Sequence, residues 1–466
     1  MSRVGPAREV RTTRPGHVGP YDLTGFQAAQ VSARSVRYTH RMPTRLLLLS
    51  TLLAACGSAP APDAFLGGED AAQPPADAPG SEDAGVSDAS ADAATPGCVE
   101  RNSSAEIAAR GGFVEVCAPA DQPRAVCGDG SPYRFSYRRA EGASAGLLVY
   151  FRGGGSCADY VSCWGTDGMG GTGRRVSTLE NERSAPEVIP SLGRSMGFFD
   201  QVDPTALFAD FDIVYASYCS GDGGLQSTEE TFARPPEADP SAPASITTYF
   251  RGVDNRRVVV AAAAALFPSP ARLVVAGSSA GSFAAMGAVP ELVGAFAAVE
   301  DVTYYGEGGI GVGRSSFDAL VDETISAHDG EGGRPLVRFV HFSFDADETQ
   351  RRYAPPPFTE DPAAFRAELL RVVAAREAAH PRNYRSLVWS GTCHTVGNSV
   401  ALYQAFENVG GRWAPVMPAV RPNPELVEGD VSLVDAIREL TRGSGPLTLD
   451  SVTPGEVGTG CGLPGR

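Results

Sequence analysis

The sequence predicts an α/β protein with a mostly parallel central sheet flanked by helices. Three observations carry that expectation. Short apolar runs of strand length recur along the chain, Ala-rich helical segments alternate with them, and glycine clusters follow several of the runs.

Leu147–Phe151 (LLVYF) is wholly apolar and stops just before Gly153-Gly154-Gly155, which reads as a buried strand and a tight loop. Phe211–Ser217 (FDIVYAS) is a second run of the same kind. Asp254–Phe267 has the composition of a helix, with Asp254 as its expected N-cap and Pro268 just beyond its end. Leu273–Ala276 (LVVA) reads as a third buried strand. The small residues from Ala280 to Ala288 predict a helix able to approach the sheet closely. Phe296–Val299, Val337–Phe344 (VRFVHFSF) and Ser386–Ser390 (SLVWS) complete the predicted strands.

The chain has 466 residues, of which 42% are hydrophobic, enough for a sizeable core. Its formal charge of −16 argues against a nucleic-acid partner, because phosphate needs a basic surface to neutralise it. There is no lysine at all. The nine cysteines include no CxxC pair and no Cys/His cluster of zinc spacing, so neither a metal nor another cofactor is expected. Disulfides suit them better if the chain is exported.

The N-terminal region argues for export. In Met42–Cys56 (MPTRLLLLSTLLAAC) a basic Arg45 precedes an apolar run from Leu46 to Leu53, which is too short to span a bilayer. The run ends in Leu53-Ala54-Ala55-Cys56, which resembles a bacterial lipoprotein signal with Cys56 as the lipidated first residue. The expected organisation has four parts. Residues 1–41 are an upstream extension absent from the mature protein, and 42–55 are the signal peptide. Residues 56–97 form a tether, in which Gly57–Gly97 carries eight acidic and no basic residues and buries too little apolar surface to fold. Residues 98–466 form the globular domain. The expected location is the cell envelope, outside the cytoplasm, with membrane contact through the lipid on Cys56.

Gly277-Ser278-Ser279-Ala280-Gly281 is a G-x-S-x-G sequence set between a predicted buried strand and a helix of small residues. In that setting the chain turns sharply at Ser279, the glycines remove side chains that would clash, and the helix start offers free N–H groups to an oxyanion. A serine hydroxyl needs a base to take its proton. Of six histidines, His17 and His40 precede the signal, His341 lies within a strand, and His328 and His380 fall in polar segments expected to be solvated. His394 follows the last predicted core strand in the loop Gly391-Thr392-Cys393-His394 and is the candidate base. The acid that orients it belongs between serine and histidine in chain order. Asp345 and Asp347 both follow Val337–Phe344, and Asp301 is a weaker third choice. Ala280 would supply one oxyanion N–H, and Gly155 or Ser156 after the triple glycine the other.

Several of these pieces together resemble the pectin acetylesterase family of carboxylesterases, over about Leu147 to Ser399. The family's GGGWC stretch, with a second cysteine six residues on, is matched by Gly153-Gly154-Gly155-Ser156-Cys157 and Cys163. That match is the basis for pairing Cys157 with Cys163. Its Tyr-Cys strand end looks like Tyr218-Cys219-Ser220-Gly221-Asp222, and its GSSAG elbow is Gly277–Gly281. Asp301 matches an aspartate that the family places after the next strand. The family's Asp-x-x-Gln motif is matched by Asp347-Glu348-Thr349-Gln350, which selects Asp347 as the acid. Its base histidine closely follows a cysteine, as His394 follows Cys393. Two departures stand out: Ser156 replaces a tryptophan, and Cys393 adjoins His394 directly where the family usually spaces them by two residues.

The resemblance implies an α/β-hydrolase-like fold and metal-free serine hydrolysis of an ester. The expected enzyme removes a short acyl group, such as acetyl, from a small molecule or polysaccharide. The rival from another class is a surface-tethered carbohydrate- or partner-binding module without turnover.

Overall fold

In the computed structural model the described residues are 102–109, 111–164, 188–189, 194–195, 197–199, 206–236, 238–395, 406–409, 412–415, 427–428 and 431–442. The expected upstream extension, signal peptide and tether, with Cys56, lie outside them, as do His17 and His40.

In chain order the first strands are β1 (Val114–Cys117), β2 (Arg134–Arg138), β3 (Leu147–Phe151), β4 (Val188–Ile189), β5 (Arg194–Ser195) and β6 (Asp212–Ala216). They are followed by β7 (Thr228–Ala233), β8 (Ser245–Phe250), β9 (Leu273–Ser278), β10 (Val302–Glu307), β11 (Val337–Phe344) and β12 (Tyr384–Trp389). The helices are α1 (Ser104–Ala109), α2 (Tyr160–Trp164), α3 (Gly252–Leu266), α4 (Ala280–Ala295), α5 (Ser315–Ala327), α6 (Glu348–Tyr353), α7 (Pro362–Ala379) and α8 (Leu433–Arg442).

Eight strands form one sheet in the order β1-β2-β6-β3-β9-β10-β11-β12. From β6 to β12 every neighbouring pair is parallel, while β1 and β2 add an antiparallel edge. The expected α/β-hydrolase-like architecture is present. β3 is the first parallel strand in the chain, and the next, β6, pairs on one side of it before β9 pairs on the other. The chain therefore reverses direction beside β3, and ligands in open α/β sheets bind beyond the strand ends at such a reversal.

Alternation along each strand distributes the core to both faces of the sheet. Leu147, Val149 and Phe151 of β3 pack into one cluster with residues of α3 and α4, including Val259, Ala285 and Val289. Leu148 and Tyr150 pack into another with Phe198, Phe199 and the apolar face of α8. The small residues of α4 do what their composition predicts, since Ala284, Ala285 and Ala288 are buried against the sheet.

Three local expectations change. The helix over 254–267 starts earlier, at Gly252, and Asp254 falls inside its first turn. The cap comes from outside the helix, because the Asp222 carboxylate accepts the Gly252 N–H at 3.0 Å. Asp254 instead accepts from Ser227 Oγ at 2.5 Å. Phe296–Val299 is not a strand: Phe296 ends α4, and the Val299 N–H closes a turn onto its carbonyl. The strand begins only at Val302, so Asp301 precedes it and lies at the opposite end of the sheet from Ser279. There Asp301 pairs with Arg272 at 2.6 Å and with the buried Arg338. A structural pair at the sheet's N-terminal edge removes Asp301 from the candidates. His328, expected to be solvated, is buried, with its Nδ1 2.7 Å from the Thr324 carbonyl oxygen.

The disulfide expected between Cys157 and Cys163 is formed, and a second joins Cys127 to Cys219. Cys117 and Cys393 are also disulfide-bonded. Bonded cysteines of this number suit an oxidising, extracellular setting. Among the described residues no helix is long and apolar enough to cross a membrane, and no acidic, histidine or cysteine cluster could hold a metal ion.

Candidate active site

Ser279 occupies the step from β9 into α4 with φ 54° and ψ −129°. It is the only non-glycine residue with positive φ among those described, a conformation that costs about 1–3 kcal/mol. Its surroundings hold it there. The Ser279 N–H donates to the Glu307 carbonyl at 2.6 Å, and its own carbonyl accepts from Ser282 N–H at 2.9 Å and Ser282 Oγ at 2.8 Å. The turn is so tight that a Cβ at Gly277 would lie 2.2 Å from the Gly281 carbonyl oxygen. The glycine loop after β3 approaches equally closely: a Cβ at Gly153 would lie 2.2 Å from the Ser278 carbonyl oxygen. This steric demand explains both glycine motifs.

The same loop is held from its other side. Tyr218 Oη donates to the Gly155 carbonyl at 2.7 Å and accepts the Gly223 N–H at 2.8 Å. Burial, reinforced by nearby Asp222, pushes the Tyr218 hydroxyl well above the usual tyrosine range, so it stays a neutral donor. Burial likewise raises Asp222, while Ser220 Oγ and the N–H groups of Gly224, Gly252 and Gln226 act to lower it again. Its carboxylate thus organises the 220–226 loop and the start of α3.

Asp345, Asp347 and His394 lie beyond the ends of β11 and β12, and backbone hydrogen bonds zip the two loops together. Asp345 N–H donates to Trp389 O, Ala346 N–H to Gly391 O and Glu348 N–H to Thr392 O, at 2.9, 3.0 and 3.3 Å. This register brings His394 Nδ1 within 2.8 Å of Asp347 Oδ2 and 3.1 Å of Oδ1. Asp347 is fully buried and also caps α6, accepting the Gln350 N–H at 2.8 Å. An ionised carboxylate only accepts, so Nδ1 carries the imidazole proton and Nε2 presents its lone pair. That Nε2 is buried and has no hydrogen-bond partner among the described residues.

Asp345 faces elsewhere. It is fully buried, one oxygen accepting from Arg366 Nε at 2.7 Å and the other from Gly391 N–H at 2.9 Å. The carboxylate is an internal strut at the ends of the two loops. His341, fully buried, is held well below the usual histidine range by burial and by Arg376, so it stays neutral.

Ser279, Ala280, Gly155, Ser156 and His394 line one cavity of about 350 Å³. Leu225, Phe283, Val312, Phe317 and Leu320 give it an apolar wall, and Asp222, Gln226, Arg314, Gln350 and Tyr353 add polar groups. The structure therefore brings together Ser279, Asp347, His394 and the three candidate oxyanion residues, and leaves out Asp301 and Asp345. The apolar wall was not legible in the sequence. Its residues come from the 225 loop, α4 and the stretch from Val312 into α5, and they share no local pattern.

Residues 113–318 match the family model described as PAE: Pectinacetylesterase. Over those residues the chain is similar to the pectinacetylesterase family. The match takes in the glycine loop and the Ser279 elbow and ends before Asp347 and His394. It makes the chain a carboxylic ester hydrolase. No curated protein sequence matches the chain. Among solved structures it is similar to two crystal forms of the Wnt deacylase Notum from Drosophila. One shares 16% identity with a TM-score of 0.46, covering 73% of this chain and 97% of that one. The other shares 15% with a TM-score of 0.46, covering 73% and 96%. At that identity and TM-score the likeness adds nothing to the family match.

Asp345→Asn should destabilise the fold rather than disable the chemistry. Losing the charge weakens the pair to Arg366, which keeps some water, so the cost should be about 2 kcal/mol. Urea melts should show that loss, while the folded fraction hydrolyses esters within about threefold of the wild-type rate.

Proposed function

We propose that this domain is an extracytoplasmic serine esterase that removes a short acyl group, acetyl included, from a small molecule or polysaccharide. One observation carries the reading: His394, which lines the same cavity as Ser279, is held through Nδ1 by a buried carboxylate, while its Nε2 has no partner among the described residues.

His394 Nε2 takes the proton of Ser279 as Oγ attacks the ester carbonyl. The negative charge passes to the carbonyl oxygen, which the N–H groups of Ala280 and of Gly155 or Ser156 receive. Collapse of this intermediate breaks the bond to the alcohol, which leaves with the proton from the imidazolium. Water then repeats the sequence on the acyl-Ser279 ester, releasing the carboxylic acid and restoring the serine. Asp347 holds the imidazole in the required tautomer and stabilises its charged form. The apolar wall of Phe283, Phe317 and Leu320 supports an acyl rather than a charged group beside Ser279. The unpartnered Nε2 favours turnover over the rival reading of a binding module.

A series of nitrophenyl esters from acetyl to dodecanoyl tests this reading. Catalytic efficiency should rise by up to about fourfold per methylene over the shortest chains and then fall, since each buried CH₂ contributes at most about 0.8 kcal/mol. Ser279→Ala and His394→Ala should each lose several orders of magnitude while keeping their thermal unfolding, and turnover should fall on acidification as the base is protonated. A maximum at dodecanoyl would reject the short-chain reading, and no hydrolysis of any ester would reject the enzyme.

We also propose that the mature chain begins at a lipidated Cys56 and is tethered to the envelope by the acidic 57–97 segment. Mass spectrometry of envelope fractions should find a diacylglyceryl-modified N-terminal Cys56. An N-terminus upstream of residue 56 would refute the anchor.

A further inference from the structure

The side-chain amide of Gln350 makes three hydrogen bonds, each to a different segment. Nε2 donates to Asp347 Oδ2 at 2.8 Å and to Ser343 Oγ at 2.7 Å, while Oε1 accepts the Ile310 N–H at 3.0 Å. Its backbone N–H takes the other carboxylate oxygen, Asp347 Oδ1, at 2.8 Å. The start of α6 therefore departs from an ordinary capping box. There the glutamine side chain reaches back to the N–H of the capping residue, whereas here it reaches the carboxylate itself.

The Ile310 end of the amide reaches a segment that packs on the same imidazole. Gly308, two residues before Ile310, packs so closely on His394 that a Cβ there would lie 2.7 Å from the His394 carbonyl oxygen and 3.1 Å from Cε1. One amide thus ties the acid in front of His394 to the loop behind it. Asp347 is fully buried, so Gln350 and His394 supply the side-chain and backbone donors its oxygens use.

We propose that Gln350 is a positioning residue for hydrolysis, fixing the rotation of the Asp347 carboxylate and how much of its charge His394 receives. The inference rests on the Ser279–His394–Asp347 reading above. A carboxylate that loses a donor in a dry site keeps more charge on the freed oxygen and holds an imidazolium more firmly. It is also freer to rotate away from Nδ1, which slows proton transfer without altering the groups that bind the acyl chain. Asp345, tied to Arg366, Arg314 and Asp222 on the cavity, buried Glu307 beside Gly308, Arg376 at the Ile310 carbonyl and Glu348 next to Asp347 are the other charged groups nearby, and the variants below leave all of them in place.

The test compares pH profiles of kcat and KM, with thermal unfolding, for the full chain and three variants on a short-chain nitrophenyl ester. Gln350→Met keeps the length and removes the amide. It should lower kcat about 10-fold, change KM less than about threefold, and move the acid limb up by about half a pH unit. Gln350→Glu keeps an acceptor for Ile310 N–H and places a second carboxylate beside Asp347, so its limb should move further up. Ser343→Ala leaves the amide on Asp347 and should move neither kcat nor the limb. An active wild type whose Gln350 variants keep the original limb, losing only thermal stability or KM, overturns the inference alone. A wild type inert toward every ester overturns the reading beneath it.

Discussion

The structure is organised around a steric limit at the end of β9. Ser279 holds a backbone conformation that side chains rarely tolerate, and the chain can fold through it only because no Cβ stands at Gly277 or Gly153. Those absences let the loop after β3 close onto the elbow, with β3 and β9 paired in register beneath. The oxyanion candidates and the nucleophile candidate are therefore brought together by the same contact. Everything else at this end of the sheet is arranged to keep that contact rigid, from the Ser282 bonds behind the elbow to the Tyr218 clamp on the loop.

Charge is handled in the same spirit. Asp345 and Asp347 are fully withdrawn from water and Asp222 is half-buried, and each has its own set of donors. Asp222 caps a helix it does not belong to, Asp345 braces two loops, and Asp347 reaches the histidine. A buried carboxylate without such donors would be costly. His394, which lines the cavity, by contrast has a buried Nε2 with no hydrogen-bond partner among the described residues.

The parts legible in the sequence were those with a local physical signature. LLVYF is wholly apolar and VRFVHFSF is rich in Val and Phe, so β3 and β11 could be read to the residue. The elbow announced itself through glycines with one reason to be there. Phe296–Val299 misled because only Phe296 is buried, at a helix end, while Ala297 and Ala298 are exposed in the turn after it, and that displaced Asp301 to the wrong side of the sheet. The choice between Asp345 and Asp347 could not be made from position, since both follow β11. It depends on the register of the loop after β12, which is a tertiary property. The cavity wall was invisible for the same reason: Leu225, Phe283 and Phe317 meet only once the sheet has closed.

The central claim is that the strained serine at this elbow is a nucleophile activated by His394. Labelling with a fluorophosphonate, followed by peptide mass mapping, tests it most directly. The account predicts a single phosphonate on Ser279 in the wild-type chain and none in His394→Ala under the same exposure. An unlabelled wild type, or a phosphonate carried on Ser278 or Ser282 instead, would contradict it.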